Sequence, residues 1–264
     1  MNSTNIIIDL DGTVYRGDRL VDHAKAFFAM LKEKNVSYKV FTNCSMRTPE
    51  ELTLVLKGMG LEVAENNIVT SGCIVRKYLQ NIEKHLHIYA VGSASFKEHL
   101  HVGGIKFVTG TQSVADYVVV GFCTDFTFED LKYALWHIQK GAKFITTNTD
   151  DTIPFGDDIV PHTGAICAFL EYASKQKPIN LGKPSKYAGI YFREIFDSDD
   201  VIVIGDRVDT DMLFARNNGF TGCLVLTGIA EQRDTDATRE QSFNIFKDLK
   251  EFCEFLDLKV EGRR

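Results

Sequence analysis

Asn5-Ile6-Ile7-Ile8-Asp9-Leu10-Asp11-Gly12-Thr13 is the stretch whose reading decides the fold. A short β-branched run closed by a Gly turn predicts a buried strand. Asp9 and Asp11 stand at i and i+2, so on extended backbone both carboxylates project to one side. They come where the chain leaves the sheet. Two like charges that close are relieved by a shared proton or a bound cation. The stretch therefore predicts a cation site at the carboxyl end of a central strand, where open α/β sheets hold their ligands.

From there outward, strand and helix patterns alternate. Residues 22–35 carry Ala24, Phe27, Phe28 and Leu31 at helical spacing, and 37–41 read as a strand ending in Thr42-Asn43. Thr48-Pro49-Glu50-Glu51 is a helix start, with Thr as N-cap, Pro at the first helical position and Glu at the third. Residues 67–71 read as a loop before a helix at 72–81. Strands are expected at 87–91, 105–108, 117–121 and 143–147. Helices are expected at 96–100, 126–140, where Trp136 is assigned to the core, and 164–174. Leu181-Gly182-Lys183-Pro184-Ser185 precedes a helix at 186–196. Val201-Ile202-Val203-Ile204-Gly205-Asp206 is a second Ile/Val strand, followed by Asp209 and Asp211 in a segment that becomes a helix closing at Gly219. The last major strand is expected at 222–226 and a C-terminal helix at 249–256, with a frayed tail at 261–264. The polar segment 232–241 has no pattern that assigns it an element. Such alternation predicts an α/β fold with parallel sheets.

Bulk properties narrow the function. The 264 residues allow one large domain or two medium ones, and a hydrophobic content of 44% permits a full core without staples. The net charge of −6 implies no broad basic surface, so nucleic acid is not an expected partner. No apolar run reaches the ~20 residues of a membrane span, and the opening residues lack the pattern of a signal peptide. The six cysteines are scattered without C-x-x-C pairing, as in a reduced cytoplasmic protein.

Four polar clusters each end a strand or open a helix: Asp9/Asp11, Thr42/Asn43, Lys183 and Asp206/Asp211. Three of them follow strands expected to be parallel, so they meet at one sheet edge. Carboxylates with a Thr hydroxyl, an Asn amide and a Lys make an oxygen-rich site for a hard cation, and Mg²⁺ suits it. A phosphate dianion is the natural counterpart, held also by Lys183, Thr42 and helix-terminal N–H groups.

At this point the chain resembles a family. D-L-D-G-T at 9–13, T-N at 42–43, K-P at 183–184 and G-D-x-x-x-T-D at 205–211 are similar, in order, to the four signature motifs of haloacid dehalogenase-like (HAD) phosphatases. The D-G-T-V-Y opening, F-T-N and I-T-T-N-T-D resemble the NagD-like, 4-nitrophenylphosphatase-like branch. The resemblance implies a Rossmann-like parallel-sheet core at 1–71 and 179–264 and a large inserted α/β cap at 72–178. That cap would close over the site and exclude bulk water. The resemblance further implies Mg²⁺-dependent hydrolysis of a small phosphorylated metabolite (a sugar phosphate, nucleotide or aryl phosphate) through an aspartyl-phosphate. Asp9 would be the nucleophile and Asp11 the general acid and base. Asp9, the Asp11 carbonyl and Asp206 would hold the metal, with Asp211 supporting its water shell. Thr42 and Asn43 would bind phosphoryl oxygens, and Lys183 would neutralise charge between phosphate and nucleophile. A homodimer made through the cap is also implied.

Some residues leave alternatives open. Asn148, in Asn148-Thr149-Asp150-Asp151, and His162, in Pro161-His162-Thr163-Gly164-Ala165, lie in candidate substrate loops. His162, where the family often has Gly, either contacts the leaving group or is an exposed loop residue. Cys44 is either redox-sensitive or a small packing residue. Asp209 reads as a surface residue. Two rival functions remain: a phosphotransferase or mutase using the same chemistry, and a non-catalytic phosphate-metabolite scaffold.

Overall fold

The computed structural model describes residues 4–82, 85–101, 104–155, 158–228 and 243–261. Their packing divides into two units. One takes the chain up to Thr42, Thr53–Ile68 and the chain from Lys183; the other takes Asn43–Leu52 and Val69–Gly182.

The first unit is built on parallel-sheet strands in the order Asn244–Phe246, Thr221–Val225, Val201–Gly205, Asn5–Ile8, Ser37–Thr42. The pairings from Asn244–Phe246 through Ser37–Thr42 are parallel. Asn5–Ile8 is central, and Ile6, Ile7 and Ile8 are at most 1% exposed. Burial on both faces is why this strand is a continuous β-branched run rather than an alternating one. Each such side chain contributes about 1.5–3 kcal/mol by leaving water. Helix Ala24–Glu33 buries Ala24, Phe27, Phe28 and Leu31, the four residues its spacing singled out. Phe27 meets Phe252 of helix Leu249–Glu261 edge-on at 5.7 Å. Phe41 packs with Phe192 of helix Lys186–Phe196 at 4.9 Å between ring centroids.

The second unit has its own five-stranded parallel sheet, ordered Ile179–Asn180, Lys143–Thr146, Tyr117–Val120, His87–Val91, Lys106–Phe107. Helices Phe128–Gln139 and Thr163–Ser174 share a core with it, through Leu131, Ile138, Ile166 and Leu170 against Val118, Val120 and Phe144. The molecule is thus α/β with parallel sheets, as the alternation predicts.

Several elements differ from the sequence reading. Ile68–Thr70 is an edge strand rather than a loop. Thr221–Val225 is followed by a further parallel strand, Asn244–Phe246. A small hairpin pairs Tyr15–Arg16 with Arg19–Leu20, with Gly17 at φ +60°. An antiparallel ribbon pairs Thr152–Phe155 with Asp158–Pro161. Trp136 is only half-buried, and the fully buried ring is its neighbour His137, whose Nδ1 accepts the Ala115 N–H at 3.1 Å. The segment 232–241 lies outside the described residues, as do 262–264 of the expected tail. Among the described residues no helix is long and apolar enough to cross a membrane, and no disulfide joins the six cysteines.

Candidate active site

Register places the polar residues of the first unit. Ile8 stands beside Ile204 on one side and Val40 on the other, so Asp9, Gly205-Asp206 and Phe41-Thr42 emerge together at the carboxyl ends of three adjacent parallel strands. The Asp9 N–H still donates to the Ile204 carbonyl at 2.8 Å, which fixes the backbone beneath the carboxylate. Asp9 is 8% exposed, Asp206 0%, Asp211 1% and Lys183 2%. Within that enclosed space the Lys183 ammonium donates to Asp9 Oδ1 at 2.5 Å, to Asp211 Oδ1 at 2.7 Å and to the Phe41 carbonyl at 3.2 Å.

Asp9, Asp206 and Asp211 each offer an oxygen within 4.8 Å of the others. Glycines make this convergence possible. A Cβ on Gly12 (φ +92°) would lie 2.4 Å from Asp206 Oδ2, and one on Gly228 would lie 1.9 Å from the same oxygen. A Cβ on Gly205 would lie 2.2 Å from Asp211 Cγ. Backbone therefore closes round both carboxylates where side chains would push them away. The Gly12 turn is held by the Thr227 hydroxyl, which donates to its carbonyl at 2.8 Å.

Asp211 enters from an unusual turn. Val208–Met212 forms one turn of π-helix before Leu213–Asn217 continues as α-helix. The N–H groups of Asp211 and Met212 both donate to the Arg207 carbonyl at 3.1 Å. Asp211 Oδ2 accepts the Arg207 N–H at 3.1 Å while its other oxygen takes Lys183. Both oxygens thus have protein donors. Asp209, in the same turn, is exposed and pairs with Arg207 at 2.8 Å.

The electrostatics are unbalanced. Burial pushes the Asp9 carboxyl up to about 7, Lys183 works against that, and Asp206 and Asp11 add to it. Burial likewise raises Asp211, to about 6, with the Asp9 charge adding to it. Burial also opposes the Lys183 ammonium, but Asp211 and Asp9 outweigh it and hold its pKa above the ordinary lysine value. Three buried acids face one buried ammonium, and a divalent cation is the group that would let all three ionise together.

The other expected residues are placed as follows. Thr42 ends its strand, 3% exposed, in the first unit, and Asp11 is exposed at the turn beyond Asp9. Asn43 belongs to the second unit, where its amide Nδ2 donates to both oxygens of Asp150 at 3.1 and 3.3 Å. Asn148 is fully buried and donates to the Asn43 carbonyl at 2.9 Å and to the Thr163 hydroxyl at 3.2 Å. His162 is not an exposed loop residue: it is 2% exposed, its ring 4.4 Å from that of Phe122 and its Nδ1 3.8 Å from Asp150 Oδ2. Cys44 is half-buried. Asp150 was not singled out from sequence by itself, although it closes the quoted I-T-T-N-T-D run.

The chain is similar to known proteins in both sequence and fold. The pattern of the haloacid dehalogenase-like hydrolase family matches residues 6–106, and a second HAD-hydrolase-like pattern matches 180–252. An acid sugar phosphatase of Staphylococcus saprophyticus is 31% identical over 253 residues, covering 95% of this chain and 97% of the relative. The crystal structure of a 4-nitrophenylphosphatase from Thermotoga maritima superposes with a TM-score of 0.89 at 30% identity, over 96% of this chain and 97% of that one. A glycerol phosphate phosphatase from Mycobacterium tuberculosis, solved in complex with magnesium, gives a TM-score of 0.86 at 26% identity over 94% of this chain and 76% of that one. With its motifs in order and 95% of its length matched by a relative 31% identical to it, the chain belongs to the haloacid dehalogenase-like hydrolases.

Proposed function

We propose that the protein is a Mg²⁺-dependent phosphomonoester hydrolase acting on small phosphorylated metabolites. The observation that carries this reading is the Lys183 ammonium bonded to both Asp9 and Asp211 beside Asp206, with every one of these groups buried. A buried ammonium next to a buried carboxylate is wasteful for folding alone. It is well suited to an anionic substrate attacked by that carboxylate.

Asp9 attacks phosphorus, forming an aspartyl-phosphate as the bond to the leaving oxygen breaks. Asp11 gives its proton to that oxygen, then takes one from the water that releases inorganic phosphate. Its exposed place at the turn lets it exchange protons with solvent between turnovers. Lys183 stays between Asp9 and the incoming phosphoryl charge. Thr42 and Asn43 bind phosphoryl oxygens. Asp9, the Asp11 carbonyl and Asp206 would hold Mg²⁺, with Asp211 supporting its water shell, and the ion would supply charge neutralisation on the phosphoryl oxygens. Residues 1–71 and 179–264 form the catalytic core, and 72–178 the cap that sorts leaving groups, with Asn148 and His162 in its substrate loops.

Sugar phosphates and aryl phosphates are the substrate classes to test first, given the names of the relatives. The deciding experiment is phosphate release over a panel of sugar phosphates, nucleotides and 4-nitrophenyl phosphate, with Mg²⁺ and with EDTA. Release that depends on Mg²⁺ and is lost in Asp9→Asn supports the scheme; release unaffected by that substitution refutes it. A cytoplasmic location is part of this reading. So is a homodimer through the cap, supported by Phe128 and Phe169, which stack edge-on at 6.4 Å while 73% and 47% exposed.

A further inference from the structure

We propose that Thr227 is a positioning residue for proton transfer to the leaving group: its hydroxyl anchors the Gly12 peptide and so sets where Asp11 stands relative to Asp9. This rests on the reading of Asp11 as general acid and base. Thr227, Gly12, Asp11 and Asp206 all belong to the first unit.

Asp11 lies in a tight turn whose own bonds give it shape. The Leu10 carbonyl accepts the N–H groups of Val14 at 2.9 Å and Tyr15 at 3.2 Å, and the Gly12 N–H donates to the Tyr15 carbonyl at 2.7 Å. Gly12 takes φ +92°, a conformation that glycine adopts without a steric penalty. Bonds within a turn fix its shape but not its orientation on the sheet. Orientation comes from anchors outside it. Before Asp11, the Asp9 N–H donates to the Ile204 carbonyl at 2.8 Å. After Asp11, the Gly12 carbonyl accepts the Thr227 hydroxyl at 2.8 Å, from the turn that follows strand Thr221–Val225. The acid thus stands between two anchors in the chain, and Thr227 supplies the second.

The turn that carries Thr227 is itself closely seated. A Cβ on Gly228 would lie 1.9 Å from Asp206 Oδ2, and one on Gly12 would lie 2.4 Å from the same oxygen. Backbone from both turns therefore closes on one carboxylate, and the Thr227–Gly12 bond joins those same two turns. Asp206 Oδ1 in addition accepts the Thr13 hydroxyl at 3.4 Å. A general acid must come within about 2.6–3.2 Å of the oxygen it protonates. Displacement by about 1 Å can cost up to ~10²-fold in rate, so a single bond that orients the turn has leverage on the chemistry.

The test compares kcat/KM for phenyl phosphate and 4-nitrophenyl phosphate, two esters of similar shape. Phenolate needs a proton to leave; 4-nitrophenolate leaves with little help. A misplaced acid therefore penalises the first ester more, whereas a smaller active fraction lowers both equally. Thr227→Val keeps the branched shape and loses the hydroxyl. It is expected to lower kcat/KM roughly tenfold for phenyl phosphate, the upper scale of one hydrogen bond, and less than about threefold for 4-nitrophenyl phosphate. Thr227→Ser, which restores the donor, should stay within about threefold of the parent on both. In an Asp11→Asn background Thr227→Val should add nothing on phenyl phosphate. Equal losses on the two esters overturn the proposal, as do no loss at all, a loss in Thr227→Ser equal to that in Thr227→Val, or losses that multiply in the double variant. Should Thr227→Val not fold, Thr227→Ala is measured against the same expectations. If Asp11→Asn itself penalises the two esters equally, the acid–base reading of Asp11 fails and this proposal falls with it. If Asp11→Asn penalises phenyl phosphate more and Thr227→Val does not, only the positioning role fails.

Discussion

Lys183 sits where a single side chain bears on the stability of several buried charges. It is the one ammonium among the described residues bonded to two of the buried acids. Lys183→Met should destabilise the protein by about 3–5 kcal/mol, because it strands buried charge rather than removing it; denaturant unfolding reads this. Asp9→Asn should behave oppositely, taking away one of three crowded carboxylates. Its thermal midpoint should not fall, while phosphate release drops by more than about 10³-fold. Asp11→Asn should slow turnover by roughly 10²-fold or more, as loss of a general acid does. These residues were legible in the sequence because each follows an Ile/Val strand or opens a helix, and position in an α/β chain predicts convergence. Asp150, His137 and the burial of His162 were not. A lone His on an amphipathic pattern looks polar, and whether a loop Asp meets an Asn more than a hundred residues away is set by tertiary structure alone.

Among the elements, long apolar strands and capped helices could be read directly. The Thr48–Glu51 capping box forms as its residues predict, with the Thr48 N–H donating to Glu51 at 2.7 Å and the Glu51 N–H donating to the Thr48 hydroxyl at 3.2 Å. Thr48→Ala should cost about 1 kcal/mol. The Thr48 N–H holds the Glu51 carboxyl below its ordinary pKa of 4.5. Its contribution is therefore full above that value and is lost as pH falls through the depressed one. Short elements escaped. Ile68–Thr70 is three residues long behind two asparagines, and the ribbon Thr152–Phe155/Asp158–Pro161 carries Pro154 and Pro161, which argue against a paired strand. The Gly12 turn shows how an element serves the site. Gly12→Ala must strain φ +92° and drive a methyl into Asp206. We expect a loss of about 1–3 kcal/mol together with weakened Mg²⁺ dependence of phosphate release.

For the whole molecule, the central question is what a divalent ion does to stability. The surplus of buried carboxylate over ammonium means that Mg²⁺ binding should raise the unfolding temperature, with about 2.7 kcal/mol gained at a hundredfold excess over Kd. For a chain this long that amounts to several degrees. EDTA should reverse the gain and Asp206→Asn should abolish it; a melting curve indifferent to Mg²⁺ in the parent protein would speak against the ion site. Oligomeric state belongs to the same scale. Phe128→Ser with Phe169→Ser should shift the protein toward the monomer in sedimentation if those rings cover one another between copies.

The widened turn at Val208–Met212 has a consequence for how this stretch tolerates change in length. An α-helical residue advances about 100° round its axis. Dropping a single position there, and so restoring ordinary winding, would swing residue 211 away from the ammonium it meets and leave the carboxylate facing another quarter of the helix. A one-codon deletion that most surface bends would absorb is here a rotation of one member of the buried acid cluster.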